Sequence, residues 1–125
     1  MEKILIIGCK KAMDDVCIGC SRCLVAFNRR EGQFEAYKDR DAEVIGLLNC
    51  GDCPAPAIVT RLAQLKLWNA PMNEQPTAIH IGPCVTDHCP HAVTIIKKIK
   101  AKAGIPVIEG THPYIPADIF APPSS

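Results

Sequence analysis

Eight cysteines and four histidines carry most of the chemistry that this chain of 125 residues could perform. The thiols fall into groups: Cys9 alone, Cys17-x2-Cys20-x2-Cys23, Cys50-x2-Cys53 and Cys84-x4-Cys89. Three chemistries use such spacings. Tetrahedral zinc takes thiolate and imidazole, and Cys50, Cys53, Cys84 and Cys89 would supply four ligands from two loops. Cys17, Cys20 and Cys23 have the spacing of the first three ligands of an iron–sulfur run. Phe27 stands where the fourth would be, so Cys9, Cys50 or Cys84 would have to complete it. A dithiol couple is the third, since a CxxC between a strand and a helix can hold a thiolate at the helix N-terminus. Asp52, between Cys50 and Cys53, partly opposes that effect. All three chemistries need thiolates, so spacing alone does not choose among them.

The histidines divide by position. His88 and His91 flank Cys89 and could ligate, although His91 also falls in a first helical turn where it could be solvated. His112, in Gly110-Thr-His-Pro113, is placed for ligation or proton transfer. His80 lies within an apolar run. It reads either as a satisfied core histidine or as a group that orients a ligand through its second nitrogen.

The elements that position these groups show in the hydrophobic pattern. Four short apolar runs, Lys3–Gly8, Glu43–Leu48, Thr77–Gly82 and Ile105–Glu109, read as buried strands. Runs without clean alternation suit a parallel sheet covered on both faces. Helical patterns lie between them. Ser21 caps a helix over Arg22 to Arg30 with Leu24 and Phe27 on one face, and a short helix follows near Phe34–Tyr37. Pro54 and Pro56 open a second helix, with Ile58, Leu62 and Leu65 at helical spacing. Pro90 opens a third, carrying Ala92, Ile95, Ile96, Ile99 and Ala103 and stopped by Gly104. The alternation predicts a single three-layer α/β domain. Its expected core is an open, mostly parallel sheet of four to five strands in the flavodoxin-like order 2-1-3-4, with helices on both faces. Residues 1–112 form the domain, and 113–125 are a proline-rich C-terminal extension. On this map every cysteine falls at or just beyond the carboxyl end of a strand. In a parallel sheet those ends share one edge, where ligands of open α/β sheets bind.

Composition narrows the function classes. Eight cysteines in 125 residues fall short of the roughly 8–10% of a disulfide scaffold. Neither a signal peptide nor a membrane span is expected, because the first apolar segment is only Ile4 to Ile7. A cytoplasmic chain with reduced thiols is the expectation, which favours metal or redox roles over bridges. The formal net charge is +1, so no polyanion-binding field is expected. Lys97, Lys98, Lys100 and Lys102 read as the solvated end of a helix rather than a nucleic-acid surface. No GxGxxG or GxxxxGK(S/T) pattern follows any strand, which leaves a nucleotide site without support.

At these residues the sequence resembles the CGGC-domain family of predicted metal-binding proteins. The matching parts are Ile7-Gly-Cys9, the Cys17…Cys23 segment with Ala26, and Cys50-Gly-Asp-Cys-Pro54. They continue in Ile79-His-Ile-Gly-Pro-Cys84 leading to Cys89-Pro90, and in Ile105-Pro-Val-Ile-Glu-Gly-Thr-His112. The resemblance runs from about Lys3 to His112. Asp52 replaces the second glycine of the naming motif, and Cys20 is not carried over from the family pattern. The resemblance implies a zinc- or metal-binding protein and raises metal over a dithiol oxidoreductase; taken with the spacings, zinc is expected first and an iron–sulfur cluster next. The ligands expected are Cys9, Cys17, Cys23, Cys50, Cys53, Cys84 and Cys89, with His91 and His112 behind them. A metal ion is the expected partner, and neither nucleic acid nor membrane is. Seven thiols exceed the four that one zinc needs, which leaves room for two metals or for thiols that hand metal on.

Overall fold

The fold follows from the four apolar runs pairing in parallel. The structure is a computed structural model that describes residues 1–10, 21–50, 58–86 and 89–111, with Pro83 and Cys84 described in backbone only. Strands β1 (Glu2–Gly8), β2 (Ala42–Asn49), β3 (Ala78–Ile81) and β4 (Val107–Glu109) form an all-parallel sheet in the order β2-β1-β3-β4. Three helices of two or more turns connect them among the described residues: α1 (Ser21–Arg29), α2 (Ile58–Asn69) and α3 (Ala92–Ala103). A 3-10 helix, Gly32–Tyr37, follows α1, and a single helical turn, Pro83–Thr86, follows β3.

Each strand has two faces, and the two sets of side chains make two cores. Leu5 and Ile7 of β1 point to the face covered by α2 and α3, where they meet Ile58, Leu62, Ile79, Ile81, Ile95 and Ile99. Ile4 and Ile6 point to the other face, against Cys23, Ala26 and Phe27 of α1 and Phe34 and Tyr37 of the 3-10 helix. All four β1 side chains are at most 1% exposed. Burying each contributes about 1.5–3 kcal/mol, which is why this strand sits at the centre of the sheet.

The expected helices form with small differences. The inward stripe of α1 is Cys23, Ala26 and Phe27, while Leu24 lies at its margin, half-buried. The third helix begins at Ala92 rather than at Pro90, because Cys89 and Pro90 first make a turn in which the Ala92 N–H donates to the Cys89 carbonyl. It ends at Gly104, whose φ of 68° is the left-handed conformation glycine enters without strain. Residues 51–57, which include Pro54 and Pro56, and the extension 113–125 lie outside the described residues.

Two details were not expected from the pattern. A bulge interrupts the β1–β2 register, so that Ile4 faces Val44 but Leu5 faces Gly46. Arg30, with φ of 55°, turns its guanidinium back to donate to the carbonyls of Phe27, Tyr37 and Ala42 and stacks on the Phe27 ring. It thereby ties the end of α1 to the start of β2. Among the described residues no helix is long and apolar enough to cross a membrane.

Candidate metal centre

The strand order fixes where a ligand would sit. From β1 the chain enters α1 on one face of the sheet. From β3 it enters α3 on the other, with α2 beside it. The connections therefore diverge at the boundary between β1 and β3, the topological switch point at whose carboxyl edge open α/β sheets generally bind ligands.

Cysteines lie at that edge. Gly8 pairs with Asn49 at the end of the β1–β2 ladder, so Cys9 and Cys50 are the next residues on adjacent strands. The ladder carries on one step, with the Cys50 N–H donating to the Gly8 carbonyl at 3.1 Å. Cys50 is 2% exposed and joins the core cluster under α2 and α3, and Cys9 and Cys89 pack half-buried against the same cluster. The Lys10 N–H points at Cys50 Sγ from 3.5 Å, a donor that favours negative charge on sulfur. Across the switch point, the Gly82 N–H bonds to the Ile7 carbonyl, and the Gly82 carbonyl accepts from Val85 and Thr86. That tight turn carries the backbone of Cys84 around the β3 end, and the Cys89 N–H then bonds to the Val85 carbonyl. His91 is half-buried at the start of α3 and makes no capping hydrogen bond through its side chain.

Cys23 is placed differently. It lies inside α1, 7% exposed, in the cluster on the opposite face of the sheet, with its sulfur 3.1 Å from the Thr111 hydroxyl. The described thiols thus approach the carboxyl edge from both faces instead of forming a single row. Of the other expected ligands, Cys17, Cys53 and His112 lie outside the described residues, as do Cys20 and His88. No disulfide joins Cys9, Cys23, Cys50 or Cys89 to one another. Among the described residues no three Cys, His, Asp or Glu side chains converge as a metal set. Thiolate sulfur is a soft donor of the kind zinc and iron take, and the described thiols stand on both faces of the sheet rather than in one set.

His80 is a satisfied core histidine. It is 1% exposed and stacks on Phe34 with ring centroids 4.6 Å apart. Its Nδ1 lies 2.9 Å from the Gly110 carbonyl, which can only accept, so Nδ1 carries the proton. In the neutral ring Nε2 then accepts from the Tyr37 hydroxyl at 2.8 Å. Burial pushes the His80 pKa below its ordinary value of 6.5, against a smaller opposing effect from the Gly110 carbonyl. Burial also raises the Tyr37 pKa above 10.0, with Glu2 adding to the rise and Arg40 opposing it.

This network fastens the loop after β4. The Gly110 N–H donates to the Ile81 carbonyl at 2.8 Å and the Gln33 N–H to the Thr111 carbonyl at 2.9 Å. Gly110 has φ of 129°, and a Cβ there would come within 2.7 Å of Gln33 Cγ. Gly110→Ala therefore meets both backbone strain and a clash, and we expect a loss of about 2 kcal/mol or more in urea unfolding. An unchanged midpoint would show that the loop relaxes freely. Tyr37 and Thr111 were not among the residues singled out from the sequence. The signal for them was His80 itself, since a buried imidazole needs a partner for each nitrogen.

Comparison with known proteins places these residues in a family. The family model described as CGGC domain matches residues 3–112. The chain is also 35% identical over 120 residues to "Uncharacterized protein MJ0582" of Methanocaldococcus jannaschii, covering 90% of this chain and 88% of that protein. No solved structure matches the chain. The switch-point cysteines and the His80 strand all fall inside the matched span, and the chain belongs to the CGGC-domain family.

Proposed function

We propose that this protein binds a metal through thiolates gathered at the carboxyl edge of its sheet, above the β1–β3 switch point. The observation that carries this reading is the ladder step that sets Cys9 and Cys50 side by side, with Cys89 packed on the same cluster. Zinc is the first candidate, held by four donors from Cys9, Cys17, Cys23, Cys50, Cys53, Cys84 and Cys89, with His91 and His112 as further donors. An iron–sulfur cluster is the second. Bound zinc would supply a Lewis-acidic centre or a structural tie. The surplus of thiols over four would let the metal be passed on. Such ligation calls for a reducing compartment, consistent with a cytoplasmic protein.

The test is elemental analysis with visible spectroscopy on protein purified anaerobically. We expect about one metal per chain, colourless if zinc and brown if iron–sulfur. A folded, stable protein with no metal in any preparation would overturn the reading.

A second reading follows from the Lys10 N–H directed at Cys50 Sγ. Cys50 and Cys53 would reduce a disulfide substrate, giving up two electrons and two protons as their own disulfide forms. It requires disulfide turnover that Cys53→Ser abolishes and that metal removal leaves intact.

A further inference from the structure

Among the described residues the sheet has two edges, β2 and β4, and they are built differently. β4 is three residues long, follows Pro106 and ends on Glu109, so brevity, proline and charge all discourage a further strand. β2 runs for eight residues, with no lysine or proline and with Glu43 as its one charge. The direction of its backbone follows from the bonds at its two ends. The Asp41 carbonyl accepts from the Glu2 N–H and the Cys50 N–H donates to the Gly8 carbonyl, so both point at β1. Alternation from Asp41 turns Ala42 and Val44 outward, and alternation back from Cys50 turns Leu47 outward. The bulge reconciles the two counts. Ile45 has no partner on β1, so Val44, Gly46 and Leu47 sit opposite Ile4, Leu5 and Ile6. Arg30 already bonds the outward carbonyl of Ala42. Among the described residues the outward N–H and carbonyl groups of Val44 and Leu47 meet no such partner.

We propose that this edge pairs with the same edge of a second copy of the chain, antiparallel and about a two-fold axis through Gly46. Val44 and Leu47 lie one step to either side of Gly46 in the β1 register, so the axis sets Val44 of each copy opposite Leu47 of the other. Both residues face outward, as the hydrogen-bonded pairs of an antiparallel ladder require, and each pair exchanges both of its N–H···O bonds. Their side chains lie on the α1 face, because those of Ile4 and Ile6 do. Beside Val44 that face holds an open groove of about 530 Å³, lined also by Leu24, Phe27 and Asn28 of α1. Leu47, 37% exposed in the single chain, enters it from the second copy. At the axis the two Gly46 residues form a non-hydrogen-bonded pair whose Cα atoms approach to about 4.5 Å, with no side chain to obstruct them. Glu43 falls opposite Leu48 rather than opposite its own counterpart, so the pairing sets no like charges against each other. Any extended segment could bond this backbone, but the symmetric spacing about Gly46 matches the same strand. The contact does not depend on the metal-binding reading.

The test uses the full chain under reducing conditions, so that no disulfide joins copies. Sedimentation equilibrium gives the oligomeric state, and amide hydrogen exchange followed by NMR reads Val44 and Leu47 one by one. We expect a dimer at about 100 μM with both amides protected, and fast exchange at both once dilution yields monomer. Leu47→Lys places on the edge the residue that natural edge strands use against pairing. It should raise the dissociation constant about 10-fold or more, since by symmetry it enters the interface twice. Leu67→Lys, at an exposed apolar position on α2, should leave the dimer unchanged. A chain that stays monomeric at about 100 μM overturns the inference. So does a dimer in which Val44 and Leu47 exchange fast, or one that Leu67→Lys weakens and Leu47→Lys does not. Protection that persists in the monomer would mean that another segment of the same chain covers the edge, and overturns it too. If Leu47→Lys does not fold, the wild-type exchange pattern at high and low concentration decides alone.

Discussion

If Cys50 is a metal ligand as proposed, replacing it by alanine should leave the protein without metal and without a response to chelators. Cys50 is the most buried of the described thiols, its sulfur takes the Lys10 N–H, and its backbone extends the β1–β2 ladder beside Cys9. A ligand that binds only the folded state stabilises by the logarithm of its saturation, about 4 kcal/mol at a thousand times its dissociation constant. Chelation should therefore lower wild-type stability by about that much, while Cys50→Ala starts lower and does not move. The metal-free variants give the packing part separately. Alanine leaves a small void among Leu5, Ile7 and Ile58, and serine puts a hydroxyl into the same apolar cluster. Each should cost the apo-protein about 1–2 kcal/mol. The measurements are metal per chain and urea midpoints with and without chelator. Stoichiometric metal in Cys50→Ala, or an equal chelator response in both proteins, would remove Cys50 from the ligand set.

The edge that carries Cys9 and Cys50 was legible in the sequence because strand and helix patterns there are local. Ile4 to Ile7 is a continuous apolar run, and such a run needs cover on both faces, which the structure supplies as α1 on one side and α2 with α3 on the other. Parallel order then places every strand-end residue on one edge. The face of Cys23 was legible in principle, since Cys23, Ala26 and Phe27 recur at i, i+3 and i+4. Reading Leu24 as the inward residue rotated the stripe by one position and hid it. The β-bulge at Ile4/Leu5 was not legible, because register depends on how two distant segments settle against each other. Nor were the partners of His80. Tyr37 lies 43 residues before it and Gly110 lies 30 after, and no local pattern ties the three together.

That distant trio gives the second large effect. His80→Leu strands two groups at once, the buried Tyr37 hydroxyl and the part-buried Gly110 carbonyl. The buried hydroxyl left unpaired costs about 1–3 kcal/mol and the part-buried carbonyl less, so the variant should lose about 2–4 kcal/mol, a large part of a domain's stability. Tyr37→Phe strands only His80 Nε2 and should lose less. In the double variant the orphaned hydroxyl is gone, so the two losses should sum to more than the double variant loses. The same pair shapes the dependence on pH. The His80 pKa is lower in the folded protein than its ordinary 6.5, so between the two values the unfolded chain binds more protons. Its contribution is complete above about pH 6.5 and shrinks as the pH falls below that value. Protonation would also put a hydrogen on Nε2, facing an oxygen that had been its donor. Tyr37 acts with the opposite sign at the alkaline end. Its raised pKa means the unfolded chain gives up a proton first, so stability falls above about pH 10. Urea midpoints across this range, with metal removed, should give a plateau between the two limits. In His80→Leu the acid slope should flatten while the alkaline slope persists. An acid slope as steep as the wild type's would mean that some other group sets it.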